Sequence, residues 1–279
     1  MSLRVFGTSL VIIGIMVSLF VVQNWLISGL SNLILFPAPP PSYKQSLAGL
    51  NVLLDEVSGR KNAILFIPQH LKPNRPFVLY FHGNASDVGI SHGLLSAFAS
   101  GTNANVVAVE YPGYGVLSDS AVTADGINAA AEFALDYLVK LEVPPHRIFL
   151  YGWSIGTGVA ARLAKHAVDK GLQLGGLILQ APYFSIRSLV SDFTPVGVFL
   201  VQNYWDTAEV LSKLQLPLLI IHGGKDKLIG PNHGKRLYEI SSSKKKRLLI
   251  SPEMTHNYWD IYEDMIFPTT DFISDNLND

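Results

Sequence analysis

The sequence predicts an α/β protein built on a mostly parallel, twisted sheet with helices on both faces. From residue 51 onward, short runs rich in β-branched and aromatic residues alternate with longer amphipathic runs, and glycine-containing loops close several of the short runs. This alternation indicates parallel strands covered by helices. In such a sheet, the chemistry lies at the carboxyl ends of the strands.

The individual elements follow from these patterns in order along the chain. Strands are predicted at residues 51–57, 63–68, 77–81, 106–110, 147–151, 176–179, 216–221 and 247–250. Helices are predicted at residues 123–141, 157–168, 234–240 and 258–276, and no internal repeat is present. The interval between the sixth and seventh strands leaves room for a small cap at about residues 181–215.

Composition excludes several classes of protein. Of the 279 residues, 48% are hydrophobic and only 15% charged, which excludes a disordered chain. Lysine plus arginine number 21 against 22 for aspartate plus glutamate, so we expect no nucleic-acid partner. The absence of cysteine excludes disulfides, thiolate zinc sites and cysteine nucleophiles.

Residues 1–36 are predicted to form a retained single-pass membrane anchor, which makes the lipid bilayer a partner. No charged side chain lies between Arg4 and Lys44, and a span needs roughly 20 apolar residues. A cleaved signal peptide and a helix buried in the core are the alternatives. Prolines predict a stiff linker at residues 37–47, followed by a catalytic domain at 48–279.

The orientation of this anchor has one weak indicator. The only glycosylation-type triplet, residues 84–86, lies in a loop predicted to border the catalytic site, where a glycan would block access. This favours a catalytic domain on the cytosolic side.

A candidate nucleophile follows the fifth predicted strand. Residues 151–158 read YGWSIGTG and open a helix of small residues, the context in which G-x-S-x-G forms a nucleophile elbow. Ser154 would sit on a strained turn, and Gly152 and Gly156 would relieve collisions on either side of it. The positive end of the following helix would face the charge that develops during attack. The alternative is a glycine-rich turn that merely contains serine.

A serine hydroxyl needs a general base, and the base needs an acid to orient it. We assign the acid to Asp226, because it alone follows both an apolar strand and a double glycine; the alternative is a solvated turn aspartate. We assign the base to His256, the last histidine, in a loop between a strand and a helix; His233 is the second choice. The other carboxylates between Ser154 and His256 are Asp169, Asp192, Asp206, Glu209, Glu239 and Glu253.

The loop after the third strand predicts the oxyanion hole. It reads HGNAS at residues 82–86, and the expected donors are the backbone N–H groups of Asn84 and Ile155. His82 is interpreted as a hydrogen-bonding brace of this loop. Trp153 is interpreted as core packing, and the turn at residues 110–115, EYPGYG, as packing beside the pocket. The basic run at residues 244–247 is typical of a solvated turn, with contact to anionic lipid as the alternative.

In this order, the motifs resemble those of α/β-hydrolase-domain serine hydrolases, in particular the membrane-associated branch that includes the protein depalmitoylases. The likeness extends from about Leu35 to the carboxyl terminus and rests on the motifs HGNA, YPGYG, GWSIGT, HGGKD and HN. The depalmitoylases carry a cysteine-rich, lipidated amino terminus, whereas this chain has an apolar one. The resemblance implies cleavage of an ester or thioester without a metal or organic cofactor.

These observations predict a membrane-anchored serine hydrolase of a lipid-like ester or a lipidated protein. The predicted small cap would leave the site open to a bulky acyl chain. A serine peptidase of the same fold is one alternative, in which Glu110 or another acid could recognise a free amino terminus. A non-catalytic, membrane-tethered interaction module is another.

Overall fold

The computed structural model describes residues 22–23, 26–32, 35–43, 52–57, 59–68 and 70–277. Most of the predicted anchor at residues 1–36 therefore lies outside the described residues. Within them, no helix has both the length and the apolar character needed to cross a bilayer.

An eight-stranded sheet forms the centre of the described chain and confirms the predicted fold class. The strands lie in the order β1-β2-β4-β3-β5-β6-β7-β8. Two pairs are antiparallel, β1 with β2 and β2 with β4. The remaining neighbouring strands, in the order β4-β3-β5-β6-β7-β8, are parallel. Their bounds are β1 Val52–Val57, β2 Arg60–Ile67, β3 Phe77–Phe81, β4 Asn105–Glu110, β5 Ile148–Trp153, β6 Gly176–Gln180, β7 Leu218–Gly223 and β8 Lys246–Ser251.

Helices cover both faces of this sheet, as the sequence predicts. α2 and α8 pack on one face, where Val78 and Tyr80 of β3 point, whereas α3, α4 and α7 pack on the face of Phe77 and Leu79. The two sets of strand residues are buried because adjacent side chains on a strand point to opposite faces. The helices are α1 at residues 26–32, α2 Val88–Thr102, α3 Ala124–Lys140, α4 Gly156–Asp169, α5 Ile186–Phe193, α6 Thr207–Leu211, α7 Pro231–Ile240 and α8 Phe267–Leu277.

Sequence reasoning did not predict α2 and began the last helix too early. Three glycines weaken the apolar pattern of α2, which is instead delimited by its ends: the Asp87 carboxylate accepts from the N–H of Ile90, and Asn103 adopts a left-handed conformation with φ 53°. The terminal helix was predicted from residue 258, whereas a π-helical turn, Tyr262–Ile266, leads into α8.

The cap lies between β6 and β7, at the carboxyl edge of the sheet. It contains α5, a 3₁₀ segment Pro195–Leu200 and α6. Val201 and Trp205 are each 2% exposed and fix the cap to the core, and the indole N–H of Trp205 donates to Asn128 on α3. This insertion therefore borders the edge at which the predicted site residues converge.

The sharpest bend in the fold connects β5 to α4 and contains Ser154. A side chain on Gly152 would overlap the backbone of Gly156 and Thr157, and one on Gly156 would overlap the carbonyl of Phe81. Backbone atoms cannot swing aside as the end of a flexible side chain can. The two glycines therefore allow three chain segments to approach closely, as the sequence predicts.

This close approach predicts that Gly156→Ala is destabilising, because the added methyl group forces main-chain movement in a packed interior. We expect a loss of about 1–3 kcal/mol in the free energy of unfolding. Gly93→Ala is the matched control: Gly93 lies in α2 with open space around the position of its Cβ, and we expect a gain of about 0.5–1 kcal/mol there. Urea unfolding measures both, and equal shifts would contradict the packing argument.

Candidate active site

Ser154 occupies a left-handed backbone conformation immediately after β5. Its φ is 55°, unusual for a residue with a side chain. The conformation is held by hydrogen bonds, because the N–H of Ser154 donates to the carbonyl of Gln180 at 2.9 Å and the Ser154 carbonyl accepts from the N–H of Thr157 at 3.0 Å. Helix α4 begins two residues later and directs its positive end at this point.

His256 follows β8 and is in contact with the serine. Its Nε2 lies 3.0 Å from the Oγ of Ser154. Thr255 and Tyr258 close the surrounding loop, since the N–H of Thr255 donates to the Tyr258 carbonyl at 2.9 Å. Ser154 is 8% exposed and His256 7%, so the pair lies in a mostly dry environment that strengthens electrostatic contacts.

Asp226 follows β7 and binds the other ring nitrogen of His256. Its Oδ2 lies 2.8 Å from Nδ1, and its Oδ1 accepts from the N–H groups of Leu228 and Ile229 at 2.9 and 2.8 Å. With Nδ1 donating to the carboxylate, Nε2 is left to accept the serine proton. The structure thus brings Ser154, His256 and Asp226 into one hydrogen-bonded line.

The pKa of the Asp226 carboxyl is lower than usual. Burial acts to raise it, but the hydrogen bond and charge of His256 and the two backbone donors outweigh burial. The depressed pKa means that these interactions stabilise the fold fully at neutral pH and are lost only as the pH falls through that low value. The ionised acid is therefore available wherever the imidazole can act as a base.

The second-choice base lies elsewhere. His233 has Nε2 at 2.7 Å from Asp192 and accepts at Nδ1 from the N–H of Phe184, so it joins α7 to the cap. Glu253 forms an exposed ion pair with Lys225. Each of these side chains has a structural partner of its own, and neither His233 nor Glu253 is in contact with Ser154.

The predicted oxyanion loop packs directly against the elbow. The close approach of Gly156 to the carbonyls of Phe81 and His82 brings the first turn of α4 against residues 81–83. Asn84 is partly buried, and its side-chain oxygen accepts from the hydroxyl of Tyr114 at 3.1 Å. The assignment of the Asn84 and Ile155 amides as oxyanion donors remains a prediction that this arrangement favours.

A buried carboxylate, Glu110, braces this loop from behind. Glu110 is 0% exposed; one oxygen faces Nε2 of His82 at 3.1 Å, and the other accepts from the Tyr43 hydroxyl at 2.8 Å and the N–H of Val88 at 3.2 Å. In the peptidase alternative, Glu110 or another acid recognises the free amino terminus of a substrate. Glu110 itself cannot do so, because its side chain is buried and both its oxygens are already bonded. Its position at the end of the apolar strand β4 is the signal in the sequence that could have indicated a buried role.

The same network holds the end of the predicted linker. Burial, reinforced by Glu110, raises the pKa of Tyr43 far above its ordinary value, so its hydroxyl remains a donor. The hydroxyl and N–H of Ser42 both donate to Asp87, the residue that caps α2. Ser42 and Tyr43 are therefore part of the packed domain and link the amino-terminal segment to the oxyanion loop.

Two further predicted features have clear places in the structure. Trp153 packs between His256, with ring centroids 6.1 Å apart, and Trp259, at 5.1 Å, which accords with its interpretation as packing. The basic run at residues 244–247 lies at the amino end of β8, where Lys246 pairs with Leu218. It is therefore at the opposite end of the sheet from Ser154.

Comparison with known proteins agrees with this geometry. A family model described as "alpha/beta hydrolase fold" matches residues 78–207, and one described as "Serine aminopeptidase, S33" matches residues 196–260. Together with the order of the sheet, these matches identify the α/β-hydrolase fold in this chain. The family models and a lipase among the relatives indicate a hydrolase.

The relatives include both lipases and proteins named only for their fold. Protein bem46 of Schizosaccharomyces pombe is 28% identical, with 77% of this chain and 73% of the relative covered. Human alpha/beta hydrolase domain-containing protein 17B is 28% identical, covering 78% and 73%. Lysophosphatidylserine lipase ABHD12 of Danio rerio is 28% identical, covering 62% of this chain and 49% of the lipase.

A solved structure shows the same fold. Monoglyceride lipase of Saccharomyces cerevisiae superposes with a TM-score of 0.62 at 16% identity, covering 85% of this chain and 99% of the lipase.

The Glu110 network predicts that Glu110→Gln lowers turnover as well as stability. The amide nitrogen cannot accept, which leaves at least one buried donor unpaired at a cost of about 1–3 kcal/mol. If the loop shifts and one oxyanion donor is lost, kcat falls by about a hundredfold or more, with little change in KM. Ester turnover and urea unfolding measure the two effects.

Glu132→Gln serves as the control, because Glu132 forms an ion pair on the outer side of α3 and α4. A Glu110→Gln variant that is less stable but retains the wild-type kcat would show that the network supports the fold without positioning the loop.

Proposed function

We propose that this chain is a membrane-attached serine hydrolase that cleaves a lipid-like ester or a protein thioester through an acyl-enzyme on Ser154. The observation that carries the proposal is the continuous contact of Asp226 with His256 and of His256 with Ser154. The positive φ of Ser154 adds to it, because strained backbone in a nucleophile elbow presents the hydroxyl above the sheet.

In the first half of the reaction, Oγ of Ser154 attacks the carbonyl carbon while Nε2 of His256 takes its proton. The resulting oxyanion would be bound by the backbone N–H groups of Ile155 and Asn84, and by the positive end of α4. Asp226 stabilises the imidazolium through Nδ1. The imidazolium then gives its proton to the departing alcohol or thiol, which leaves Ser154 acylated.

In the second half, a water molecule replaces the leaving group. His256 accepts a proton from the water as it attacks the acyl carbon, and returns that proton to Oγ as the acid departs. Asp226, whose pKa lies below the ordinary carboxyl range, stays ionised throughout. Every proton transfer in the cycle is assigned to a side chain of this chain.

The proposed substrate class rests on two features, the outer surface of the cap and the composition of the amino-terminal sequence. The cap is short, and its outer surface carries exposed apolar side chains, among them Phe199 at 75% exposure. The first described residues continue an amino-terminal sequence that lacks charge from residue 5 to residue 43. Both features suit an acylated substrate held at a membrane, and the sequence similarity to a lysophosphatidylserine lipase points the same way.

A serine peptidase remains a second candidate, because the aminopeptidase model matches residues 196–260. Glu110 is buried, so a substrate amino terminus would need another acid. Faster turnover of aminoacyl amides than of p-nitrophenyl acyl esters would favour the peptidase. The non-catalytic module has no structural observation in its favour.

The proposal predicts that a fluorophosphonate probe labels the wild-type chain and that Ser154→Ala abolishes the label, because the probe reacts with an activated serine hydroxyl. Ser96→Ala, on α2, is the control and should label as the wild type does. In-gel fluorescence measures both. Equal labelling of Ser154→Ala and the wild type would show that Ser154 is not the nucleophile.

A further inference from the structure

An exposed apolar surface covers the outside of the cap. It consists of Phe193, Val196, Phe199 and Leu200, which are 61%, 73%, 75% and 51% exposed. We call these four residues the cap ridge. No charged residue occurs from residue 193 to residue 205. A cluster of large apolar side chains this exposed marks a binding surface on a soluble protein.

The ridge is a structured part of the cap. The N–H of Thr194 donates to the Val190 carbonyl at 2.9 Å, and that of Gly197 donates to the Thr194 carbonyl at 3.1 Å. A side chain on Gly197 would collide with those of Thr194 and Val190, so glycine lets the 3₁₀ segment fold tightly against α5. The apolar side chains are therefore held outward by ordered backbone.

Helix α1 docks beside the ridge through polar side chains. The Ser31 hydroxyl, fully buried, accepts from the N–H of Gln202 at 2.9 Å, directly after the ridge. The Tyr204 hydroxyl lies 3.1 Å from that of Ser28 and 3.0 Å from the side-chain oxygen of Asn32. These contacts fix the end of the amino-terminal segment against the cap.

The opposite side of this amino-terminal segment is apolar and exposed. Leu26 and Leu30 of α1 are 56% and 37% exposed and lie four residues apart, the spacing that places side chains on one helix face. Val22, which precedes α1, is 53% exposed. We call these three residues the α1 stripe. The polar contacts of α1 face the cap, so the stripe stays exposed on a segment that docks beside the ridge.

Lipid is the occupant that fits both patches. The 21 residues that precede the stripe contain Arg4 as their only charged residue, so the sequence next to this surface is apolar. A protein partner would not require the amino-terminal chain to be free of charge. The basic run at residues 244–247 lies at the other end of the sheet, which leaves apolar insertion as the mode of contact here.

The cap that carries the ridge starts and ends beside the reacting serine and its acid. The cap begins where β6 ends, and the carbonyl of Gln180, the last residue of β6, accepts from the N–H of Ser154. The cap ends at β7, which Asp226 follows. The insertion that carries the ridge is therefore anchored at both ends next to the site.

We propose that the cap ridge and the α1 stripe together insert into one leaflet of a bilayer and hold the mouth of the active site at the lipid surface. The inference rests on the proposed membrane-attached hydrolase and adds the surface that faces the lipid. The amino-terminal chain alone would tether the domain in any orientation, whereas this surface gives it one.

The absence of cysteine allows a direct test in the full chain. Phe199→Cys and Val196→Cys would each be labelled with the fluorophore NBD and reconstituted into phosphatidylcholine vesicles. Val168→Cys is the control, because Val168 is 44% exposed near the end of α4, the helix that leads away from the elbow. We expect emission at positions 196 and 199 to shift to shorter wavelength and to be quenched by spin-labelled lipid, with no quenching at position 168.

Three outcomes would overturn the inference. The first is the absence of quenching at positions 196 and 199 in vesicle-bound protein. The second is a blue shift that appears equally without vesicles, which would mean that a second copy of the chain covers the ridge. The third is failure of the chain to associate with vesicles. Probe labelling of Ser154 in the same samples separates this inference from the proposed function. Quenching without labelling would support the lipid-facing surface and contradict the serine hydrolase.

Discussion

The close approach of three backbone segments around Ser154 is the constraint on which the site depends. Gly152 and Gly156 let β5, the first turn of α4 and the end of β3 come into contact, and the turn between them forces Ser154 into the left-handed region. A conformation of this kind persists only when the surrounding structure determines it. Here the neighbouring strand and helix hold it, so the orientation of the nucleophile is a property of the whole sheet.

Backbone hydrogen bonds align the remaining two members of the relay in the same way. The N–H of Gly224 donates to the Ser251 carbonyl, and that of Lys225 donates to the carbonyl of Met254, which joins the loop of the acid to the loop of the base. Asp226 and His256 are thus positioned by main-chain contacts between neighbouring loops, independently of their own hydrogen bond. A relay built in this way is preorganised before substrate arrives, which is the condition for electrostatic catalysis.

The strands and the three relay residues could be predicted from sequence because each carries a local signal. All predicted strands are present, and Ser154, Asp226 and His256 each follow one at the carboxyl edge. The role of Glu110 has only one local signal, its position at the end of a buried strand, and its partners Tyr43 and His82 could not be predicted because they lie 67 and 28 residues away. Helix α2 was missed for a different reason: its glycines hide the apolar pattern, and its boundaries depend on capping by Asp87 and Asn103. The exposure of Phe199 has no periodic signature at all.

The cap combines opposite requirements within about 35 residues. Val201 and Trp205 must be buried to fix it to the sheet, while Phe199 stays exposed a few residues away. In water, such exposure forgoes the stabilisation that burial would give, about 25 cal/mol per Å² of apolar area. Lipid would supply that stabilisation without changing any contact within the domain. A cap of this design would be more stable at a membrane than in solution, and the environment that stabilises it is the one that supplies acyl chains to Ser154.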